Sequence, residues 1–251
     1  MQKGDQKAAA QAMEQMASLP VDIQEELKNL MVRPTCQTFI DTAHFRINYN
    51  TSGTAMVYGW PNTAYRDAVM AAAEYCWDFY FNQNDWNQVP GDGSVGGGSN
   101  LYDIYVIDVG SGIYGYTQGE TAVPGGFPND YTSFVSIDHA YDGFGYADRT
   151  LPMKVTVAHE FHHAVQMGYT IANNWWMEEC ATFMEDECYD SINDNYAYLS
   201  SFLTTPYKKI STFNGQREYG AFLWPTMLKE KYTHDTVREL YHCSATTNIF
   251  T

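Results

Sequence analysis

Apolar residues recur at helical spacing in one early segment and over most of the chain after Thr150. In Thr63–Gln83 they stand three and four positions apart, which predicts a long helix. The same spacing predicts five helices in the last part of the chain: Leu151–Gly168, Trp175–Glu187, Tyr196–Leu203, Glu218–Lys231 and Thr236–Cys243. We therefore expect this part of the chain to be mostly helical.

Strand-like patterns lie before Thr150. His44–Tyr49 alternates polar and apolar residues and ends at a turn signal. Further strands are predicted at Leu101–Gly110, Gly112–Glu120 and Ser133–Tyr141, and a flexible loop at Val89–Asn100. Strands followed by helices predict an α+β fold.

The first 36 residues differ from the rest of the chain in composition and in the pattern of apolar positions. They look helical and polar, with a break at Pro20 and few large apolar residues. They are either a separable segment, such as a propeptide, or an ordinary helical hairpin. We expect one domain over residues 37–251, β-rich at 37–150 and helical at 151–251, with a C-terminus that is truncated.

Composition narrows the class of protein. Of the 251 residues 45% are apolar and 16% aromatic, as in a folded globular protein. The net charge of −16 argues against nucleic acid and anionic membranes as partners, because both repel an acidic surface. No apolar run approaches the ~18–20 residues of a membrane span.

The predicted helix Leu151–Gly168 is apolar nearly all round, as buried helices are, yet it contains His159, Glu160 and His163. Burying such groups is unfavourable unless something binds them. Histidines four positions apart share one helix face and can hold one zinc ion, and a glutamate after the first can act as general base. The alternative is a set of hydrogen-bonded core histidines. His162 lies off this face and is expected to be structural or supporting.

A catalytic zinc ion is held by three protein ligands, with water in the fourth position, so a third ligand is needed here. No third histidine follows His163 at the HExxHxxGxxH spacing. The next predicted helix offers Glu178 and Glu179, which lie on opposite shoulders of its apolar stripe, so periodicity does not decide between them. Each has the alternative of a solvated acid favoured by the helix dipole.

These residues resemble the gluzincin metallopeptidases, the zinc peptidases that include thermolysin and the zinc aminopeptidases. The resemblance rests on HExxH at 159–163 and on Trp175, Glu178 and Ala181, which fit a W-x-x-E-x-x-A-like helix. With weaker likeness over residues 37–242, the chain is similar to secreted bacterial or archaeal immune-inhibitor-like metalloproteases. The register favours Glu178 as the third ligand.

The resemblance implies a zincin-like catalytic domain, with a twisted mixed sheet, a mostly helical C-terminal part and the HExxH helix between them. It implies a secreted zinc endopeptidase, since no GxMEN aminopeptidase signature is present; its signal peptide is not in this chain. Its substrates would be peptides or proteins. Glu160 would be the general base, Tyr219 the donor to the oxyanion, and Glu185 an acceptor for a ligand imidazole. Tyr219 has the alternative of an aromatic core contact.

Substrate would pair with an edge strand, either the one at Gly112–Glu120 or the one at Tyr131–His139. Two other functions stay open: a catalytically silent zinc-containing surface or adhesion module, and a zinc hydrolase of non-peptide amides or esters.

Two further features concern regulation and metals. Cys36, at the boundary of the N-terminal segment, faintly resembles a cysteine switch, through which the segment would inhibit a zymogen; a disulfide or a plain boundary cysteine is the alternative. Asp92, or Asp103 with Asp108, are candidate Ca²⁺ ligands, although they lack EF-hand spacing. The five cysteines form no CxxC pair, which argues against a cysteine-based zinc site.

Overall fold

The computed structural model describes residues 32–93 and 97–247. It contains five strands: β1 (Thr38–Asp41), β2 (Phe45–Tyr49), β3 (Tyr102–Ile107), β4 (Gly115–Ala122) and β5 (Tyr131–Asp138). The α-helices are α1 (Ala64–Trp77), α2 (Thr150–Met167), α3 (Asn174–Tyr189), α4 (Leu199–Leu203), α5 (Arg217–Gly220), α6 (Leu223–Lys231) and α7 (Thr236–Thr246). A π-helical turn, Asp78–Gln83, extends α1, and a 3₁₀ turn, Asp194–Tyr198, precedes α4.

The strands form one mixed sheet in the order β1-β2-β3-β5-β4. The inner pairs β2–β3 and β3–β5 are parallel, and the outer strands β1 and β4 run antiparallel to their neighbours. The α+β class and the mixed sheet are confirmed. Within the described chain, β4 is one edge of the sheet and β1 is the other.

The core lies between the sheet and α2. Phe161 of α2 packs edge-on against Phe45 of β2 and Tyr102 of β3. Gly115 lets α2 approach β4, because a Cβ there would lie 2.8 Å from both the Ser136 carbonyl and the Thr156 side chain. α2 packs on β4, and α3 packs on α2, so the two predicted site helices lie side by side.

The predicted elements are found with four differences. Only Leu199–Leu203 of the helix predicted at Tyr196–Leu203 is α-helical, because the 3₁₀ turn Asp194–Tyr198 precedes it. β1 was not expected, because it is a short edge strand with alternately half-buried and exposed residues. The segment Glu218–Lys231 is two helices, and Pro225, which lacks an amide hydrogen, stands in the first turn of the second. The end of the helix predicted at Thr63–Gln83 is π-helical.

Three further expectations concern membrane spans, the cysteines and the N-terminal segment. No helix in the described residues is long and apolar enough to cross a membrane. All five cysteines are free thiols. The predicted helical segment before Val32 lies outside the described residues.

Candidate metal centre

Three side chains from α2 and α3 converge in the interior. His159 and His163 stand one turn apart on α2, and Glu178 faces them from α3. Glu178 Oε2 lies 3.1 Å from His159 Nε2 and 3.4 Å from His163 Nε2, and the two Nε2 atoms are 3.0 Å apart. All three residues are at most 1% exposed. In the part of the chain that the structure describes, this is the group of acidic, histidine and cysteine side chains placed to hold a metal ion.

The other ring nitrogen of each histidine has its own partner. His159 Nδ1 lies 2.7 Å from Glu185 Oε1, and His163 Nδ1 lies 2.7 Å from Gln166 Oε1. Both partners are acceptors, so each Nδ1 carries a hydrogen, and when the ring is neutral, as metal binding requires, its Nε2 lone pair points inward. The predicted contact between Glu185 and a ligand imidazole is confirmed.

The electron pairs that converge here fit a cation. Two Nε2 lone pairs and a carboxylate oxygen repel one another when nothing positive lies between them. Nitrogen–nitrogen and nitrogen–oxygen separations near 3 Å are about the edge lengths of a tetrahedron with metal–ligand bonds near 2.0–2.1 Å. Two imidazoles and one carboxylate are the donor set of many catalytic zinc sites. The cluster can therefore hold a metal ion.

Glu160 lies beside the cluster and is held by the sheet. The single hydroxyl hydrogen of Thr117 on β4 is shared between the Glu160 carbonyl, 2.6 Å from Oγ1, and Glu160 Oε2, 2.9 Å from Oγ1. Burial raises the pKa of Glu160 above its ordinary value, although the charges of His159 and His163 act against this. A carboxylate with a raised pKa is a better proton acceptor.

Glu178 and Glu179 have opposite environments. Burial would raise the pKa of Glu178, but the charges and hydrogen bonds of His163 and His159 lower it to about 2. Burial raises the pKa of Glu179 to about 9, with the Arg217 charge opposing and Glu218 adding to the rise. Neither carboxylate oxygen of Glu179 has a hydrogen-bond partner. Glu178 alone faces the histidines, and neither acid is solvated.

Tyr219 is also brought to the site. Its ring centroid lies 6.2 Å from that of His159, and it packs on Tyr198 at 5.0 Å. Burial, followed by the nearby charge of Glu178, raises its pKa far above the usual value, so the hydroxyl keeps its hydrogen. Tyr219 can therefore donate a hydrogen bond.

The short helix that carries Tyr219 is held on both sides. Glu218 accepts from the backbone amides of Asn214, Gly215 and Gln216. Arg217 donates to the carbonyl of Phe202 at 2.9 Å and to that of Lys208 at 3.2 Å. These buried contacts fix a helix of only four residues at the site.

His162 takes no part in the cluster. Its ring packs against Tyr80, Trp86 and Tyr241, and neither ring nitrogen has a partner. Burial lowers its pKa well below the usual value, so the ring is neutral. It is a structural residue within an aromatic core.

Gln166 and Thr117 contribute to the site but were not predicted. Gln166 also donates to the Met177 carbonyl at 2.9 Å and so links the two ligand helices. Its position three residues after His163, on the same face of α2, is a signal that the sequence contains. Thr117 has no such signal, because its contact with Glu160 depends on how the sheet meets α2.

The predicted regulatory and calcium residues lie elsewhere. Cys36 precedes β1, at the opposite edge of the sheet from β4, and is not among the clustered ligands. Asp92 and Asp103 come together, but both bind the guanidinium of Arg33. Asp108 accepts from the amide of Gly110.

Part of the chain matches a protein family. Residues 145–248 match a family of unknown function, DUF6055. None of the curated proteins matches the chain. The matched region contains both ligand helices and Tyr219, whereas the whole sheet precedes it.

Proposed function

We propose that this protein is a zinc-dependent endopeptidase that is secreted and made as a zymogen. The observation that supports this most directly is the inward convergence of His159, His163 and Glu178 with Glu160 beside them. A purely structural metal site needs no buried carboxylate next to its ligands. The position of Glu160 therefore favours a hydrolase over a silent zinc module.

The residues have separate tasks in peptide hydrolysis. His159, His163 and Glu178 would hold zinc, which, when bound, lowers the pKa of its water and polarises the scissile carbonyl. Glu160 accepts the proton of the attacking water and passes it to the leaving amine. Thr117 keeps Glu160 in place, and Tyr219 donates to the oxygen that becomes negative in the transition state.

The substrate would pair with β4. Of the two candidate edge strands, the one at Tyr131–His139 is β5, which is paired on both sides. β4 is paired on one side within the described chain, and it carries Thr117, which touches the general base. A peptide added to β4 would run past Glu160.

The N-terminal segment remains the predicted inhibitor, but its route through Cys36 is not favoured. Cys36 precedes β1, at the edge of the sheet opposite β4. Cys36 is also absent from the ligand cluster.

The experiment that tests the proposal is hydrolysis of a quenched fluorescent peptide library by zinc-loaded wild type and Glu160→Gln, before and after limited trypsin treatment. We expect wild-type activity that falls by about 10²–10⁴-fold in Glu160→Gln, because proton transfer is lost while the zinc ligands stay. Equal rates in the two proteins, or silence from both with zinc bound, would overturn the proposal.

Substitutions of Glu178 and Glu179 test which of the two adjacent acids binds the metal. Glu178→Gln should weaken zinc binding, because it removes a ligand charge. Glu179→Gln should leave zinc binding unchanged, because this buried acid does not face the histidines. Equal zinc affinity of the two variants in a competition titration would contradict the assigned ligand set.

A further inference from the structure

Two cysteines meet in the core where the end of α1 faces the end of α3. Cys76 lies in the last turn of α1 and is fully buried, and Cys188 lies in the last turn of α3 with 6% of its surface exposed. Both belong to the main apolar core, although they are far apart in the sequence. A bond between them would therefore join two distant parts of the chain.

The position of Cys188 is fixed by contacts with residues on either side of Cys76. The hydroxyl of Tyr75, one residue before Cys76, donates to the Cys188 carbonyl at 3.0 Å. The Cys188 thiol donates to the hydroxyl oxygen of Tyr80, with Sγ 3.6 Å from Oη. Tyr80 stands four positions after Cys76 in continuous helix, so the two side chains lie on the same side of it. Cys188 therefore packs against the side of α1 that carries Cys76.

The two thiols also contact each other. Burial raises the pKa of the Cys188 thiol well above its usual value, and a hydrogen bond with the Cys76 thiol raises it further. A single buried cysteine needs no explanation, because a thiol packs as a small apolar group. Two thiols in contact are the starting arrangement of a disulfide, in which the sulfur atoms approach to about 2.05 Å.

The remaining three cysteines are placed differently. Cys36 precedes β1, and Cys243 is exposed on α7. Cys180 is as buried as Cys76, but it lies about two turns before Cys188 on the same helix, too far away to bond with it. The pair in contact is therefore Cys76 and Cys188.

Oxidation of this pair removes little hydrogen bonding from the core. Tyr80 keeps the bond that its hydroxyl donates to the Ala158 carbonyl at 2.7 Å, and it loses only the weak S–H donor of Cys188. In the reaction each thiol gives up one hydrogen, and an S–S bond forms between the two sulfur atoms. The oxidant is a small-molecule disulfide such as oxidised glutathione, whose own S–S bond breaks as it takes up both hydrogens and leaves as two thiols.

We propose that Cys76 and Cys188 form a disulfide when the chain folds in an oxidising compartment, and that this bond ties α1 to the end of α3. The inference goes beyond the proposed function and shares with it only the secreted location, where disulfides form and persist. α3 carries Glu178 and, one turn before Cys188, Glu185. The bond therefore anchors the helix that supplies a metal ligand and the acceptor behind His159.

The test refolds the full-length chain with reduced and oxidised glutathione and compares the wild type with Cys76→Ala and Cys180→Ala, the matched control. Unfolding in excess iodoacetamide alkylates every free thiol, and the intact mass gives their number. Because the bond consumes two of the five thiols, we expect three alkylated cysteines in the wild type. We expect two in Cys180→Ala, which keeps the bond, and four in Cys76→Ala, which cannot form it. Peptide mapping should recover the peptides of Cys76 and Cys188 linked to each other.

The melting temperature tests whether the bond ties the fold together. Each chain is also refolded with a reductant, and the oxidised and reduced samples are compared. Reduction should lower Tm by about 4–16 °C in the wild type and in Cys180→Ala, because the bond restrains the unfolded chain. It should leave the Tm of Cys76→Ala unchanged.

The outcomes separate the disulfide from the peptidase. Five alkylated cysteines in the oxidised wild type, or a link between any other two cysteines, would overturn the proposed bond. An equal Tm for oxidised and reduced wild type would overturn its role as a tie between the helices. If Cys76→Ala does not fold, Cys188→Ala removes the other partner, and any count below four in that variant overturns the pairing. None of these results depends on zinc binding or peptide hydrolysis.

Discussion

Single acceptor atoms decide whether the two histidines can bind one ion. Each imidazole must carry its hydrogen on Nδ1, and this is ensured for His159 by Glu185 and for His163 by Gln166. If Gln166 were apolar, the Nδ1 hydrogen of His163 would be buried without a partner. The ring would then be free to rotate or to change tautomer.

Gln166→Leu should therefore weaken zinc binding by about 10–100-fold, as the loss of a group behind a metal ligand usually does. Gln166→Glu keeps an acceptor for His163, although it replaces the donor to the Met177 carbonyl with an oxygen, so zinc affinity should fall less than in Gln166→Leu. Competition with a chromophoric chelator measures both affinities. Wild-type affinity in Gln166→Leu would refute the positioning role.

Tyr219→Phe removes one hydroxyl next to the ligands. If this hydroxyl donates to the oxyanion, kcat should fall by about 10²-fold while KM and zinc affinity change little. Tyr65→Phe is the control, because its buried hydroxyl donates to the Asp138 carbonyl away from the centre. Equal kcat values for the two variants in steady-state kinetics would mean that Tyr219 is an aromatic core residue and does not donate to the oxyanion.

Some of these residues could be assigned to the site from the sequence, whereas others could not. The 159–163 spacing predicts two metal ligands and a general base, because helix periodicity alone places these residues on adjoining faces. Glu178 and Glu179 are adjacent on α3, and their environments differ only because α2 covers one and α5 approaches the other. Thr117 could not be predicted, since its partner is 43 residues away in sequence.

At the scale of elements, the distance between α2 and β4 sets the position of the general base. Gly115 permits that distance, and the Cβ of an alanine there would meet the Ser136 carbonyl at 2.8 Å and Glu160 Cγ at 3.1 Å. A backbone carbonyl within a paired strand has little freedom to move away. The missing side chain of Gly115 thus controls the approach of the helix that carries Glu160.

Gly115→Ala should lower the free energy of unfolding by about 1–3 kcal/mol, as overpacking of a core does. It should also reduce kcat, because Glu160 is displaced from Thr117. Thr121→Ala, at the exposed end of the same strand, should change stability by less than about 0.5 kcal/mol. Urea unfolding of both variants provides the comparison, and equal stabilities would show that α2 can shift without loss.

Element types follow from periodicity, but sheet order does not. The long helices contain enough turns for an apolar stripe to be recognised. The pairing of β3 with β5, rather than with β4, depends on contacts between residues distant in sequence. The sequence therefore predicted two candidate edge strands. Of these two, only β4 lies at an edge of the sheet in the described chain.

On the scale of the whole molecule, the centre lies where the sheet meets the helical part. α2 and α3 bring the ligands, β4 holds the base and α5 brings Tyr219. The DUF6055 match spans the helical part alone, so Thr117 lies outside it. Hydrolysis as proposed would need both parts in contact.

Zinc should also stabilise the entire fold. The three ligands are buried and come from two helices, so bound zinc would join α2 to α3 in the folded protein. A ligand that binds only the native state at about 1,000 times its Kd adds about 4 kcal/mol. For a chain of this size, each kcal/mol shifts Tm by about 2–4 °C.

Removal of zinc by a chelator should therefore lower Tm by about 8–16 °C, and added zinc should restore it. Glu160→Gln should show the same zinc-dependent shift, because Glu160 is not a ligand. Glu178→Gln should show much less of it. Differential scanning calorimetry with and without zinc separates these cases. If the Tm of the wild type does not change with zinc, the three side chains do not bind the ion in the folded protein. The assigned centre would then be wrong.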